Sequence, residues 1–191
     1  MSKSQNSLIE SCFHNEVSRR DFFDRLLKAG ITGAIAAVVP TAVFAATPPP
    51  PTQNNWRNCR KCSTLFFNGY RKGRCPAGGA HSGDNRNYKI TYNSSGPGQR
   101  DWRFCNKCDA MFFNGYANKG VCPTGGAHFA QGYNFTLRFD AQAIGEPDWR
   151  FCNKCEVIFF NRDSNAGVCA AGEGHVAQGY HFVLDDTVRI D

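Results

Sequence analysis

Nine cysteines and three histidines beyond residue 46 recur in a fixed order. They fall as Cys59, Cys62, Cys75 and His81; as Cys105, Cys108, Cys122 and His128; and as Cys152, Cys155, Cys169 and His175. The spacing is C-x2-C-x12-C-x5-H in the first set and C-x2-C-x13-C-x5-H in the other two. Three thiolates and one imidazole make four ligands, the number that a closed tetrahedral zinc site requires. The C-x-x-C turn brings two thiolates to one ion, and the third cysteine and the histidine close on it from the other side. Gly78, Gly125 and Gly172 lie between those last two ligands, where they allow the backbone to bend tightly enough to deliver the imidazole. Lys61, Lys107 and Lys154 each precede the second cysteine. A cation there offsets the net negative charge of three thiolates around Zn²⁺; a solvated turn lysine is the plainer alternative.

Other chemistries fit less well. Nine cysteines cannot all close into disulfides within one chain, and three per set cannot close within a set. A thioredoxin-like use of C-x-x-C needs a βαβ context and a helix N-terminus, and neither is visible. A catalytic zinc keeps one position open for water. Here the fourth ligand is supplied, and Glu173 is near a histidine in the third set only. No recurring nucleophile–base set stands out, so no catalytic residue is assigned and an enzyme is not expected. Three zinc sites are expected, with iron or disulfides as alternatives.

The elements that position these ligands also repeat. Trp56, Trp102 and Trp149 open three copies of W-x-x-C-x-x-C-x-x-x-F-F-N, and DWRFCNKC occurs at both 101–108 and 148–155. A period of this size marks a repeat architecture. The repeats span residues 56–92, 101–140 and 148–187, joined by short connections at 93–101 and 140–148. Within one repeat, Trp102–Cys105 reads as a strand ending in a tight turn, Asp109–Asn114 as the returning strand, and Tyr133–Leu137, with its alternating pattern, as a last strand. The fold class is all-β. Units this small rarely bury enough apolar surface to fold without a metal, a disulfide or a neighbour. Three equal units either close around a pseudo-threefold axis, as in a β-trefoil, or follow one another as beads in a row; the aromatic load and short connectors favour closure.

The unit resembles the zinc-ribbon and rubredoxin-type knuckle over Trp102 to about Leu137 and its equivalents. It departs from that pattern in having one C-x-x-C per unit with a C-x5-H partner, where the ribbon has two C-x-x-C pairs.

The first 45 residues read as an address. Ser18-Arg19-Arg20-Asp21-Phe22-Phe23 is a twin arginine followed by an aromatic, a mildly apolar stretch runs from Ala29 to Ala46, and Val43-Phe44-Ala45 places small residues as a signal peptidase needs them. This resembles a bacterial twin-arginine (Tat) signal peptide, with Arg19 and Arg20 read by the export machinery and cleavage after Ala45. The resemblance implies a protein folded in the cytoplasm, where thiols stay reduced, and then delivered to the periplasm or beyond. Cys12 and His14 fall in the discarded segment. Residues 46–55, with four consecutive prolines, read as an extended spacer. No later stretch is long and apolar enough to span a bilayer. The chain is similar to exported bacterial proteins carrying tandem repeats of this type.

Aromatics and amides are the candidates for ligand contact. One phenylalanine of each F-F pair, together with the tryptophan, is expected to cover the metal site. The other, Phe67, Phe113 or Phe160, packs between units or faces a ligand. Tyr88, Tyr133 and Tyr180 are grouped with them, and Gln131 and Gln178 place an amide two residues before an aromatic, a polar handle for sugar hydroxyls. Core packing is the alternative for every one of these rings. Formal charge runs from +7 in the first repeat through +1 to −3 in the third. A basic first repeat would meet an anionic polymer, and nucleic acid is a less favoured partner. A dipolar chain could also associate head to tail. The reading is therefore an exported, non-enzymatic, zinc-stabilised module that binds an envelope or extracellular polymer. A redox or metal-handling protein is the alternative.

Overall fold

The computed structural model describes residues 48–162 and 166–189, and the residues assigned to the Tat signal, including Arg19, Arg20 and Ala45, lie outside them. The described residues carry nine strands, three to a repeat, and no helix. The first repeat contributes β1 (Thr52–Asn58), β2 (Leu65–Phe67) and β3 (Arg86–Tyr92). The second contributes β4 (Gln99–Cys105), β5 (Met111–Phe113) and β6 (Ala130–Leu137). The third contributes β7 (Glu146–Cys152), β8 (Ile158–Phe160) and β9 (Ala177–Arg189).

In each repeat the tryptophan strand lies between the other two, antiparallel to both. Trp56 sits opposite Phe67 on one side and Tyr88 on the other. Trp102 has Phe113 and Phe135, and Trp149 has Phe160 and Phe182. Paired residues share a face of the sheet. Each tryptophan therefore gathers an aromatic from both neighbours.

The strands begin earlier than their sequence suggests. Thr52–Asn55, Gln99–Asp101 and Glu146–Asp148 look like spacer or connection, yet they belong to β1, β4 and β7. Each tryptophan strand shifts register just before its tryptophan. Asn55, Asp101 and Asp148 absorb that bulge with φ of 69°, 69° and 73°. Asn and Asp tolerate the left-handed region better than other residues. The first two also have their N–H groups satisfied, at 2.8 Å, by the side-chain oxygens of Asn87 and Asn134. The turn-like composition encodes a bulge inside a strand, not its end.

The three repeats close into a ring. At one end β3 pairs with both β6 and β9, and a bridge between Arg138 and Val183 joins the second and third repeats. At the other end the short strands touch in cyclic order through the bridges Phe66–Ala110, Phe112–Val157 and Thr64–Phe159. The same hydrogen bond recurs at each step: Phe67 N–H to the Asp109 carbonyl, Phe113 N–H to that of Glu156, and Phe160 N–H to that of Ser63. The third repeat thus contacts the first as the first contacts the second, an arrangement a row of beads does not allow.

Glycine makes the close approach possible. A Cβ on Gly73 would lie 2.0 Å from the Cys108 carbonyl oxygen, on Gly120 2.3 Å from that of Cys155, and on Gly167 2.3 Å from that of Cys62. Each repeat thereby presses backbone against the next repeat's C-x-x-C turn.

Two kinds of core result. One is shared by all repeats and holds Trp56, Trp102, Trp149, Phe135, Phe182, Tyr88 and their neighbours. Each tryptophan packs edge-on against an aromatic of the next repeat: Trp56 on Phe135 at 5.1 Å, Trp102 on Phe182 at 5.3 Å, and Trp149 on Tyr88 at 5.1 Å. Full burial of one such ring contributes on the order of 5 kcal/mol of transfer free energy. The other kind surrounds the cysteines.

Candidate metal centres and ligand clefts

The three Cys₃His sets converge as their spacing predicts. In each, one ligand atom from every residue lies within 4.8 Å of the others, and all twelve side chains are buried. Cys59 and Cys75 Sγ are 3.9 Å apart, as are Cys152 and Cys169 Sγ. Cys62, Cys108 and Cys155 Sγ lie 3.5, 3.5 and 3.4 Å from Nδ1 of His81, His128 and His175. A tetrahedron with metal–sulfur bonds of about 2.3 Å and metal–nitrogen bonds of about 2.0 Å has edges of about 3.8 Å and 3.5 Å. The donor sets fit such an ion. They do not fit disulfides, whose sulfurs lie about 2.05 Å apart, and none of the nine cysteines among the described residues is in a disulfide.

Local backbone delivers the ligands in the same way each time. Gly78, Gly125 and Gly172 have φ of 95°, 97° and 94°, and their N–H groups bond to the carbonyls of Cys75, Cys122 and Cys169. The lysine of each C-x-x-C turn reaches across to this loop. Lys107 Nζ donates to the Gly125 carbonyl at 2.6 Å, and Lys154 Nζ to that of Gly172 at 2.7 Å. Lys61 makes the equivalent bond to Gly78. These lysines tie the two halves of the site together while remaining at its charged edge.

The thiols and imidazoles perturb one another strongly. Hydrogen bonds from Cys62 and Cys75 hold Cys59 far below the usual thiol range, and Cys155 and Cys169 do the same for Cys152. Cys62 and Cys155 are driven far above it by the thiolates they contact. Burial disfavours the imidazolium form of His81, His128 and His175, but contacts with the cysteine thiolates outweigh it and raise each to about 9. Without an ion, a cluster is thus a thiolate–imidazolium set with its remaining thiols protonated. A cation must displace those protons.

The cover of each site is a phenylalanine, not the tryptophan. Phe66 stacks on His81 at 4.8 Å, Phe112 on His128 at 4.9 Å and Phe159 on His175 at 4.7 Å. Trp102 and Cys105 are three residues apart on β4, as Trp149 and Cys152 are on β7, and an odd separation places side chains on opposite faces. The tryptophans therefore face the shared core. The second phenylalanines face it too, against their tryptophans: Phe67 and Phe113 at 5.3 Å, Phe160 at 5.2 Å.

The remaining ligand candidates separate into two groups. Tyr88 is only 1% exposed. Its register partner Trp56 makes it the equivalent of Phe135 and Phe182, so it does not belong with Tyr133 and Tyr180 and is not presented to a ligand. The tyrosine pattern misleads because the first repeat carries Arg86 where the others carry Tyr133 and Tyr180. Tyr133 and Tyr180 are 44% and 50% exposed. They stack on Tyr92 at 3.9 Å and on Phe139 at 4.0 Å.

Both tyrosines line clefts between repeats. The first cleft, about 600 Å³, lies between repeats one and two and brings together Phe67, Gln131 and Tyr133 with Gln53, Tyr70 and Phe104. The second, about 120 Å³, lies between repeats two and three and brings together Phe113, Gln178 and Tyr180 with Gln99, Tyr116 and Phe151. These two sets match position for position. Sequence reading missed Gln53, Gln99, Tyr70 and Tyr116, although a glutamine three residues before the tryptophan and a tyrosine ending F-F-N-G-Y recur in both repeats.

The third inter-repeat position differs. Glu146 stands where the others have Gln53 and Gln99, Arg86 where they have tyrosine, and Asn58 where they have phenylalanine. Glu146 is 5% exposed and is engaged by Arg86, Arg162 and the Tyr88 hydroxyl. Arg162 also lies over Phe160 at 5.1 Å, covering that ring. Part of the first repeat's positive charge is answered in this way within the chain. Lys89 pairs with Asp185 of the third repeat at 3.3 Å, and Arg71 with Asp109 of the second at 3.5 Å.

No protein-family model matches the chain, and no curated protein or solved structure matches it.

Proposed function

We propose that this chain is an exported, non-enzymatic binding module. Three structural zinc ions hold its ring of repeats, and its inter-repeat clefts take carbohydrate. The Tat-like segment with Arg19 and Arg20 supports export of an already folded and metal-loaded protein. Four buried ligands per site, with none left open, support a structural ion over a catalytic one.

One observation carries the ligand reading: a glutamine pair and a set of aromatic rings recur around each of two clefts. A sugar ring has an apolar face of C–H groups, suited to an aromatic, and a rim of hydroxyls, suited to an amide that both donates and accepts. The second cleft is lined by no charged side chain, and the single charge at the first, Arg71, already pairs with Asp109. This favours an uncharged glycan over an anionic polymer or nucleic acid.

The test is a binding screen of metal-loaded protein against neutral glycans, anionic envelope polymers and DNA. Saturable binding of a neutral glycan, insensitive to salt and lost on joint substitution of Gln131, Tyr133, Gln178 and Tyr180, is the expected result. Binding only to polyanions, with steep salt dependence, overturns the ligand reading.

A further inference from the structure

We infer that the two clefts are two copies of one glycan site and that the protein cross-links neutral polysaccharide chains, the third copy being closed by Glu146. This rests on the carbohydrate reading above. The first ground is equivalence. Gln53, Phe104 and Tyr133 of the first cleft correspond to Gln99, Phe151 and Tyr180 of the second, and each cleft is formed where one repeat meets the next. A site that recurs with the repeat recognises the same chemical group at each occurrence.

The second ground is what fills the third position. An amide and an aromatic there become a carboxylate and a guanidinium, Glu146 and Arg86, which pair with each other and bury the carboxylate. Two sites therefore remain, at successive junctions of the ring, and their linings share no residue. Two separately lined sites can hold two strands of polymer at once. Binding to a polymer surface then gains by multivalency without any new contact.

The clefts differ in volume, about 600 Å³ against about 120 Å³, and Arg71 borders the first only. Unequal affinities for the same sugar follow, with the first cleft the tighter.

The experiment uses metal-loaded protein and neutral hexasaccharides of glucose, xylose, mannose and N-acetylglucosamine, followed by the matching soluble polymers. Titration calorimetry should give two hexasaccharides per chain for the sugar that binds. Gln131→Ala with Tyr133→Ala, or Gln178→Ala with Tyr180→Ala, should each leave one, and the four changes together none. None of the four substituted residues is a candidate metal ligand, so unchanged metal content and melting temperature identify folded variants. The native protein should raise the turbidity of the matching polymer, and each single-cleft variant should not. One hexasaccharide per chain, unaffected by the Gln178 and Tyr180 changes, would overturn the two-site inference and leave the carbohydrate reading standing. Binding to none of the saccharides overturns both.

Discussion

His175 Nε2 lies 3.1 Å from the carbonyl oxygen of Cys62, a residue 113 positions earlier in the chain. With Nδ1 directed at Cys155, the outer nitrogen carries the proton and donates it to that carbonyl. A candidate metal ligand of the third repeat is thereby hydrogen-bonded to the C-x-x-C turn of the first. Thr64 Oγ1 adds a contact to the same nitrogen at 3.3 Å. The corresponding Nε2 atoms of His81 and His128 are buried and make no hydrogen bond among the described residues, and the positions equivalent to Thr64 are Ala110 and Val157. The candidate metal centre of the third repeat and the closure of the ring share a joint at the contact between the first and last repeats.

Loss of one ion should therefore unfold more than one repeat. A structural zinc site contributes about 10–16 kcal/mol apparent binding free energy, comparable to the net stability of a whole domain, about 5–15 kcal/mol. Cys105→Ser should abolish the cooperative melt of the entire ring in circular dichroism. Retention of two intact repeats and two ions would show that the units fold independently.

The glycine contacts make a graded prediction. Gly120→Ala places a methyl against the Cys155 carbonyl in backbone of φ 65° and should cost about 2–4 kcal/mol. Gly125→Ala has φ of 97° but open space around it and should cost about 1–2 kcal/mol. Urea titration of both variants measures the difference. Equal losses would mean that the inter-repeat approach is looser than described.

Glu146→Ala should weaken the joint between the first and third repeats. It removes the carboxylate that Arg86, Arg162 and the Tyr88 hydroxyl share, at a cost of about 1–3 kcal/mol. That is below the range for a fully buried pair, because Arg86 and Arg162 remain partly in water. Hydrogen exchange should rise first in β3 and β9. A change confined to β4 and β5 would place the weak joint elsewhere.

Acid should strip the ions. In the empty cluster each histidine stays protonated up to about pH 9, and an ion must expel that proton along with those of the remaining thiols. Affinity therefore climbs as pH rises toward about 9 and falls as pH drops, opposite to the metal-free imidazolium contacts, which are lost on the alkaline side. Zinc titration in weak buffer with a pH indicator should show proton release at neutral pH. No release would mean that the cluster is already deprotonated.

The ligand sets were legible in the sequence because four ligands at near-constant spacing admit few chemistries, and three copies remove coincidence. The all-β class followed from the same repetition and the aromatic strands. The role of the tryptophan was misread: counting three residues from Trp102 to Cys105 along a strand already places them on opposite faces, but proximity in sequence suggested a lid. Tyr88 was misgrouped because residue type was matched instead of register. The bulges at Asn55, Asp101 and Asp148 were hidden because the residues that tolerate positive φ are those that also end strands. The clefts could not be read at all from one repeat, since each takes residues from two.

The central claim is that three closed Cys₃His zinc sites build this fold, and elemental analysis of full-length protein purified from reducing cytoplasm tests it most directly. The account predicts three zinc ions per chain, with nine of the ten thiols, all but Cys12, reacting only after the ions are removed. A red protein with a reducible iron centre, or thiols oxidised in pairs with less than one ion per repeat, would contradict it.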